Sequence, residues 1–568
     1  MKSKISKILT VIAMLGVFGC GKDFLDINDD PNNPLDVSLE LLLPSAQLDM
    51  AGALGTSGGG LSQVTMSYMH QTVQRSNQND YGIQGVDFGV TAPWLTMYTR
   101  SLADIETIIK KSVEIEAYPY LGMAQIMKAY QYSILVDFWG DVPFSEAHKA
   151  PEILLPVYDQ GEDIYPQLFA LLDEAIVNLE KESIFEVGPE DLFYDGDPEL
   201  WIKLANSIKL KLYNQVREVQ DVSAEVTALL AEDNFISDVE EDFEMTYGTS
   251  VGPDNRNPGY VQEWAPGTAN YYIHPYFYEI MANMNTFGVD NYPGGGDDNY
   301  GNLIGTVDPR IPYYFYNQIG EVSVDDSPEN PCSYCYGYVD PNTEEFIVQV
   351  PELEGTGVVA IWPFSSNIDP NEGFGQGASQ SLLGLYPLGG KFDDGEGGAA
   401  DFDGNPQVAQ RLVTFYSQKF TEAELFLTGV VAGDHRLAFR DGMRAAFAKV
   451  NEVAESVGAP EISTANRDVY INAVLASYDA ATDDGKLEHI ITQKWIASFG
   501  FGVDEYTDYR RTGYPILYDG NTDDLSFTIR TKEFPYAFPW PTANLSVNGN
   551  APGQKLVTSE EAKPFWME

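Results

Sequence analysis

Leu102-Ala103-Asp104-Ile105-Glu106-Thr107-Ile108-Ile109-Lys110-Lys111-Ser112-Val113 carries its apolar residues at intervals of three and four, with acids and lysines between them. On a helix of 3.6 residues per turn, that spacing gathers Leu102, Ile105, Ile108, Ile109 and Val113 on one face. The pattern returns just downstream at Leu121, Ala124, Met127, Tyr130, Ile134 and Leu135. It recurs at Ile164, Leu168, Leu171, Leu172, Ala175, Ile176 and Leu179, and at Trp201, Leu204, Ala205, Ile208, Leu212 and Val216. Successive amphipathic helices bury their stripes against one another, and where the loops are short they pair as antiparallel hairpins.

Further along, residues 235–410 turn to Gly, Pro, Asn, Asp and Tyr, with short apolar fragments such as Phe346-Ile347-Val348-Gln349-Val350. This predicts a long irregular insertion with a few strands, and irregular segments of such length commonly carry function. Helical patterning resumes at 421–430, 435–455, 467–481 and 487–499, and 506–568 reads as irregular again. The expected fold is mainly α: a helical part over 37–230, a loop-rich insertion over 235–410, and a helical and irregular part over 411–568. Ala and bulky aromatics at the packing positions suggest tetratricopeptide-like helix pairs.

At the other end, Lys2, Lys4 and Lys7 precede an apolar run from Ile8 to Phe18, then Gly19-Cys20. A basic segment, a short apolar segment and a small residue make an export signal over 1–19. With cysteine next, the segment resembles a bacterial lipoprotein signal, Cys20 being the lipid acceptor. Residues 20–36, rich in Asp, Asn and Pro, read as an acidic tether. Loss of the three lysines would take the net charge from −52 to −55. Such a surface repels phosphate backbones, so nucleic-acid binding is not expected.

Cys332 and Cys335 make a single CxxC, two short of a structural zinc set, and in an exported chain a local disulfide is the expected state. Asp393, Asp401 and Asp403 place oxygen ligands as a calcium loop would, but Pro406 and Leu412 stand where an EF-hand needs Gly and Glu, leaving a non-EF structural calcium site or a solvated turn. No other cofactor is required. Gly55-Thr56-Ser57-Gly58-Gly59 and Gly248-Thr249-Ser250-Val251-Gly252 fit GxSxG without the strand-then-helix context of a nucleophile elbow. Gly373-Phe374-Gly375-Gln376-Gly377-Ala378 approximates a dinucleotide fingerprint in a coil setting. Among 85 acids, no carboxylate pair stands out for glycosidic chemistry. Aromatic density in irregular segments does stand out, because rings stack on sugars or peptide side chains at low entropic cost.

Several blocks together resemble one family. Lys22-Asp23-Phe24-Leu25-Asp26-Ile27-Asn28 after Cys20, Val136-Asp137-Phe138-Trp139-Gly140-Asp141-Val142-Pro143-Phe144, Asp308-Pro309-Arg310 and Thr421 to Leu427 are similar to SusD/RagB nutrient-binding lipoproteins of Bacteroidetes. So is Gln493-Lys494-Trp495-Ile496-Ala497 leading to Asp508-Tyr509-Arg510-Arg511-Thr512-Gly513-Tyr514-Pro515. The resemblance implies a SusD-like fold and a non-enzymatic, surface-exposed outer-membrane lipoprotein. It also implies a hinged lid on a SusC-like TonB-dependent transporter, delivering oligosaccharide. Peptide cargo is the alternative, and a surface glycoside hydrolase a third. By position in relatives, Arg75, Asn77, Tyr81 and Trp94 fall in one ligand region, while Trp264, Tyr271, Tyr272 and Trp362 are the candidate rings of the insertion. The rings would stack, and Arg75 and Asn77 would hydrogen-bond.

Overall fold

The computed structural model describes residues 37–57, 59–74, 90–265, 269–284, 304–320, 327–332, 334–340, 342–362, 377–517 and 534–567. The first helical part comprises α1 (Leu39–Leu54), α2 (Leu61–Tyr68), strand β1 (Thr72–Gln74) and α3 (Thr91–Thr96). A π-helical turn at Met97–Ser101 joins α3 to α4 (Leu102–Ile115), followed by α5 (Tyr118–Trp139), α6 (Gly161–Leu179), α7 (Pro198–Val216) and α8 (Ser223–Glu232). The four periodic stretches are thus α4 to α7. On α4 the buried face is Leu102, Ile105, Ile108 and Ser112, whereas Val113 is exposed.

Helix α5 is buried over 19 of its 22 residues, so it is the axis around which the others pack. Gly122 lets α6 approach closely, since a Cβ there would stand 2.6 Å from the Leu179 side chain. Asp197 caps α7 by accepting from the Glu199 N–H at 2.9 Å, with Pro198 in the first turn where its missing N–H costs nothing.

The insertion holds β2 (Phe243–Met245), α9 (Pro258–Glu263), β3 (Tyr271–Ile273), α10 (Pro275–Ala282), α11 (Ile311–Tyr314) and β4 (Phe315–Tyr316). It continues through β5 (Tyr334–Cys335), β6 (Gly337–Val339), β7 (Phe346–Val348), β8 (Val359–Ala360), β9 (Leu382–Leu383), α12 (Leu385–Leu388) and β10 (Gln410–Val413). Among the described residues these strands form only two-stranded antiparallel ladders, β1–β3, β2–β10, β4–β9, β5–β8 and β6–β7. Two of them tie the insertion to the rest: β1 belongs to the first helical part, and β10 leads directly into the last.

The final part contains α13 (Phe415–Leu427), α14 (His435–Glu455), α15 (Thr464–Ala480), α16 (Asp483–Ala497), α17 (Val503–Thr512) and α18 (Thr542–Val547). Helix α17 corrects the expectation that the chain is irregular from 506. Its buried residues include Asp504, Glu505, Asp508 and Arg510, so no apolar stripe announces it. Their charges are met from other elements. Glu424 of α13 accepts from Arg217 of α7 at 2.8 Å, from Asn214 at 2.8 Å and from Arg511 Nη2 at 2.9 Å. Arg511 also reaches Asp508 at 2.8 Å, which Lys494 of α16 contacts at 2.8 Å. Asp137, at the end of α5, accepts from Tyr165 and Trp566, while Arg510 donates to the Asp137 and Tyr536 carbonyls. These bonds lock the first and last helical parts into one body with a shared core. No helix of the described residues is long and apolar enough to cross a membrane.

Candidate functional site

The short helix α9 begins on Asn257, whose side-chain oxygen accepts from the Gly259 and Tyr260 N–H groups at 2.8 and 3.2 Å. At its other end, the Glu263 carboxyl accepts from the Asn270 N–H at 2.9 Å and the Tyr271 N–H at 3.2 Å, holding the start of β3 against the helix. Tyr271 is fixed further, its hydroxyl donating to the Thr56 carbonyl and its carbonyl accepting from Gln380, both at 2.7 Å. Opposite it in the ladder stands Gln74, the last residue of β1. Gln74 donates to the Gln63 carbonyl at 3.3 Å, and Gln63 accepts from the Gly59 N–H at 2.9 Å.

Carboxamides rim this ladder end, the candidate mouth of the site: Gln63, Gln74 and Gln262 are half-buried and Asn270 is exposed. At the opposite end of the ladder, beyond the Thr72–Ile273 pair, His70 and His274 stack at 4.6 Å, and Trp362 meets His274 edge-on at 5.6 Å. His274 Nδ1 accepts from the Tyr276 N–H at 3.1 Å.

Burial pushes the Glu263 carboxyl up to about 8, only partly offset by the N–H groups of Asn270 and Tyr271. Burial also pulls His70 down to about 3, and burial with the neighbouring His70 pulls His274 well below the usual imidazole range. At neutral pH these shifts favour the uncharged forms of Glu263, His70 and His274. Carboxamides, each pairing a donor with an acceptor, suit a hydroxyl-rich ligand.

The chosen rings are placed differently from the expectation. Trp94, Trp264, Tyr271, Tyr272 and Trp362 are all buried, so none offers a face to a ligand in this conformation. Trp94 packs between Tyr98 and Trp139 at 4.7 and 5.3 Å, wedging α3 against α5. The Trp264 indole donates to the Leu383 carbonyl at 3.1 Å and lies on Gly390, where a Cβ would meet the ring at 2.5 Å. Tyr272 packs with Val73, Val359 and Ile361 around Cys332 and Cys335. Those cysteines are disulfide-bonded with Cα atoms 6.0 Å apart. The structure does gather Trp264, Tyr271, Tyr272 and Trp362 around β3, as framework rather than contact surface.

Arg75, Asn77, Tyr81 and Cys20 lie outside the described residues, as do residues 373–376 of the glycine-rich motif. Asp393, Asp401 and Asp403 are not drawn into a cation site: Asp393 accepts from Asn317 at 2.7 Å, Asp403 pairs with Lys391 at 2.9 Å, and no metal-binding cluster of acids, His or Cys exists among the described residues. Of the GxSxG matches, the first follows helix α1 and the second lies in a turn closed by the Val251–Asp254 bridge, so neither is a nucleophile elbow. The carboxamide rim escaped the sequence reading because positions 63, 74, 262 and 270 share no local pattern.

Comparison with known proteins places two family models on the chain. The model described as "Starch-binding associating with outer membrane" matches residues 31–322, and that described as "Susd and RagB outer membrane lipoprotein" matches residues 435–557. Among solved structures, a chitin-binding protein aligns at 23% identity and TM-score 0.62, over 90% of this chain and 95% of its own. A SusD homolog from Parabacteroides distasonis aligns at 20% and 0.66, over 93% and 97%. A chitin-binding SusD homolog from Flavobacterium johnsoniae aligns at 17% and 0.62, over 92% and 98%. No curated protein sequence matches.

Proposed function

The chain belongs to the SusD-like family of outer-membrane lipoproteins, and from that premise we propose that it captures a neutral oligosaccharide at the cell surface and delivers it to a SusC-like TonB-dependent transporter without cleaving it. The observation that carries the proposal is the group of carboxamides, Gln63, Gln74, Gln262 and Asn270, at the Gln74–Tyr271 end of the β1–β3 ladder. Sugar hydroxyls need donors and acceptors side by side, which Gln and Asn supply without charge. The fully buried Glu263 carboxyl already takes two backbone N–H groups, which suits a loop clamp better than an acid catalyst. Cys20, by this reading, anchors the capture body and 20–36 gives it room to swing.

Two solved relatives carry chitin binding in their names, so chito-oligosaccharides are the first cargo to try. Calorimetry of the mature chain, with Cys20 replaced, should be run against chitohexaose, maltoheptaose and a mixed peptide pool. Saturable binding of a glycan, lost on Asn270→Ala or Gln74→Ala, supports the proposal. Binding of peptides and no glycan would replace oligosaccharide with peptide as cargo, and release of reducing ends by the purified chain would make it a hydrolase.

A further inference from the structure

Among the described aromatic residues, only Phe402 is exposed: every other Phe, Tyr and Trp is buried or half-buried, whereas Phe402 keeps 42% of its surface in solvent. Its backbone is left-handed, with φ of 54°, a region that bulky side chains rarely occupy and keep only where the surroundings hold them there. The surroundings impose it. The Phe402 N–H donates to the Trp264 carbonyl at 2.9 Å, and three residues on the Asn405 N–H donates to the Gly389 carbonyl at 2.6 Å. The loop is thus pinned on both sides of the ring.

Beside it, Arg256 stacks its guanidinium 5.3 Å from the ring centroid and forks onto Asp254, with Nε–Oδ1 at 2.9 Å and Nη2–Oδ2 at 2.8 Å. An exposed ring next to a planar pair that both donates and accepts is the chemistry that recognises a pyranose: apolar C–H edges lie on the ring, and adjacent hydroxyls bond to the planar pair. A protein partner is a poorer match, since a stable interface buries about 800 Å² on each side and this platform is one ring wide.

We infer that Phe402, with the Arg256–Asp254 pair, is a second saccharide-stacking subsite, outside the carboxamide mouth. It rests on the saccharide-capture reading above and extends it. The two places are linked through Trp264, which receives the Phe402 N–H and directly follows Glu263, the residue that clamps Asn270 and Tyr271 at the mouth. A long oligosaccharide would use both, and a short one only the mouth.

The test compares wild-type mature chain with Phe402→Ala, Phe402→Gly and Phe402→Trp on an array of neutral glycans printed in short and long forms. Calorimetry then follows on the glycan bound, beginning with chitobiose and chitohexaose. We expect Phe402→Ala and Phe402→Gly to weaken the long form about fivefold and leave the short form unchanged, with Phe402→Trp retaining affinity. Glycine accepts the left-handed backbone, so a loss shared by Phe402→Gly does not come from backbone strain at this position. Unchanged affinity for the long form in both truncations overturns the subsite and leaves the capture proposal standing. Equal loss on short and long forms overturns it as a separate subsite. No glycan bound by wild type overturns both.

Discussion

Glu424→Gln is the sharpest probe of how the two helical parts are held together. The wild-type carboxylate is fully buried and faces two guanidiniums, Arg217 and Arg511, each almost entirely out of solvent. The network sets three cations, Arg217, Arg511 and Lys494, against the buried carboxylates Glu424 and Asp508 and the half-exposed Glu218, which meets Arg217 at 3.0 Å. Neutralising Glu424 leaves the three cations with Asp508 as the one buried carboxylate and Glu218 at the surface, and the amide of Gln turns an N–H toward a guanidinium. Removing one partner of a buried pair typically costs about 3–5 kcal/mol, mostly the desolvation of the stranded charge. By contrast, Asp479→Asn breaks the half-exposed Arg436–Asp479 pair and should cost under about 1 kcal/mol.

Urea unfolding followed by tryptophan fluorescence reads both variants. Burial alone would raise the Glu424 carboxyl, but Arg217 and Arg511 outweigh it and hold it below the ordinary value of 4.5. A carboxylate lowered in the folded state contributes stability that is complete above its unfolded value and disappears as pH falls through its folded value. The gap between wild type and Glu424→Gln should therefore be full at pH 7 and narrow steadily below about pH 4.5. A loss at pH 7 no larger than that of Asp479→Asn, or a gap that ignores acid, would refute the reasoning.

Glu263 carries the opposite sign. Its carboxyl is raised to about 8, so its contribution is greatest below its unfolded value and is lost as pH rises toward 8; Glu263→Gln should flatten that decline in a stability-versus-pH series. Trp94→Ala should act as a core truncation, costing about 3–5 kcal/mol in the same urea assay, because the indole is wedged between Tyr98 and Trp139. At position 402, Gly should be more stable than Ala by about 1 kcal/mol, since only Gly takes φ of 54° without strain; equal stabilities would show the loop relaxing.

Where side chains alternate between water and core with helical period, the sequence was explicit. Helices α4 to α7 show the three-and-four spacing, and the expected limits 435–455 coincide with α14. The same logic missed α17, because a segment that buries Asp504, Glu505, Asp508 and Arg510 has a hydrophilic face turned inward. Lys494, Lys211 and Glu424 make that burial tolerable, and they arrive from α16, α7 and α13. In the insertion, ring density marked the region, yet irregular chain has no period from which to tell an inward ring from an outward one. Trp264 and Trp362 turned out buried and Phe402 exposed.

By itself, the sequence determined the helical class, the long insertion, the acidic character and the family blocks, because each is carried by residues near one another along the chain. Tertiary structure alone decided which polar groups meet. The carboxamide rim needs Gln63 and Gln74 from the first part beside Gln262 and Asn270 from the insertion, and the Phe402 platform needs Arg256 brought across from nearly 150 positions away in the sequence. Backbone ladders and buried charges set those meetings, and neither leaves a local signature in composition or spacing.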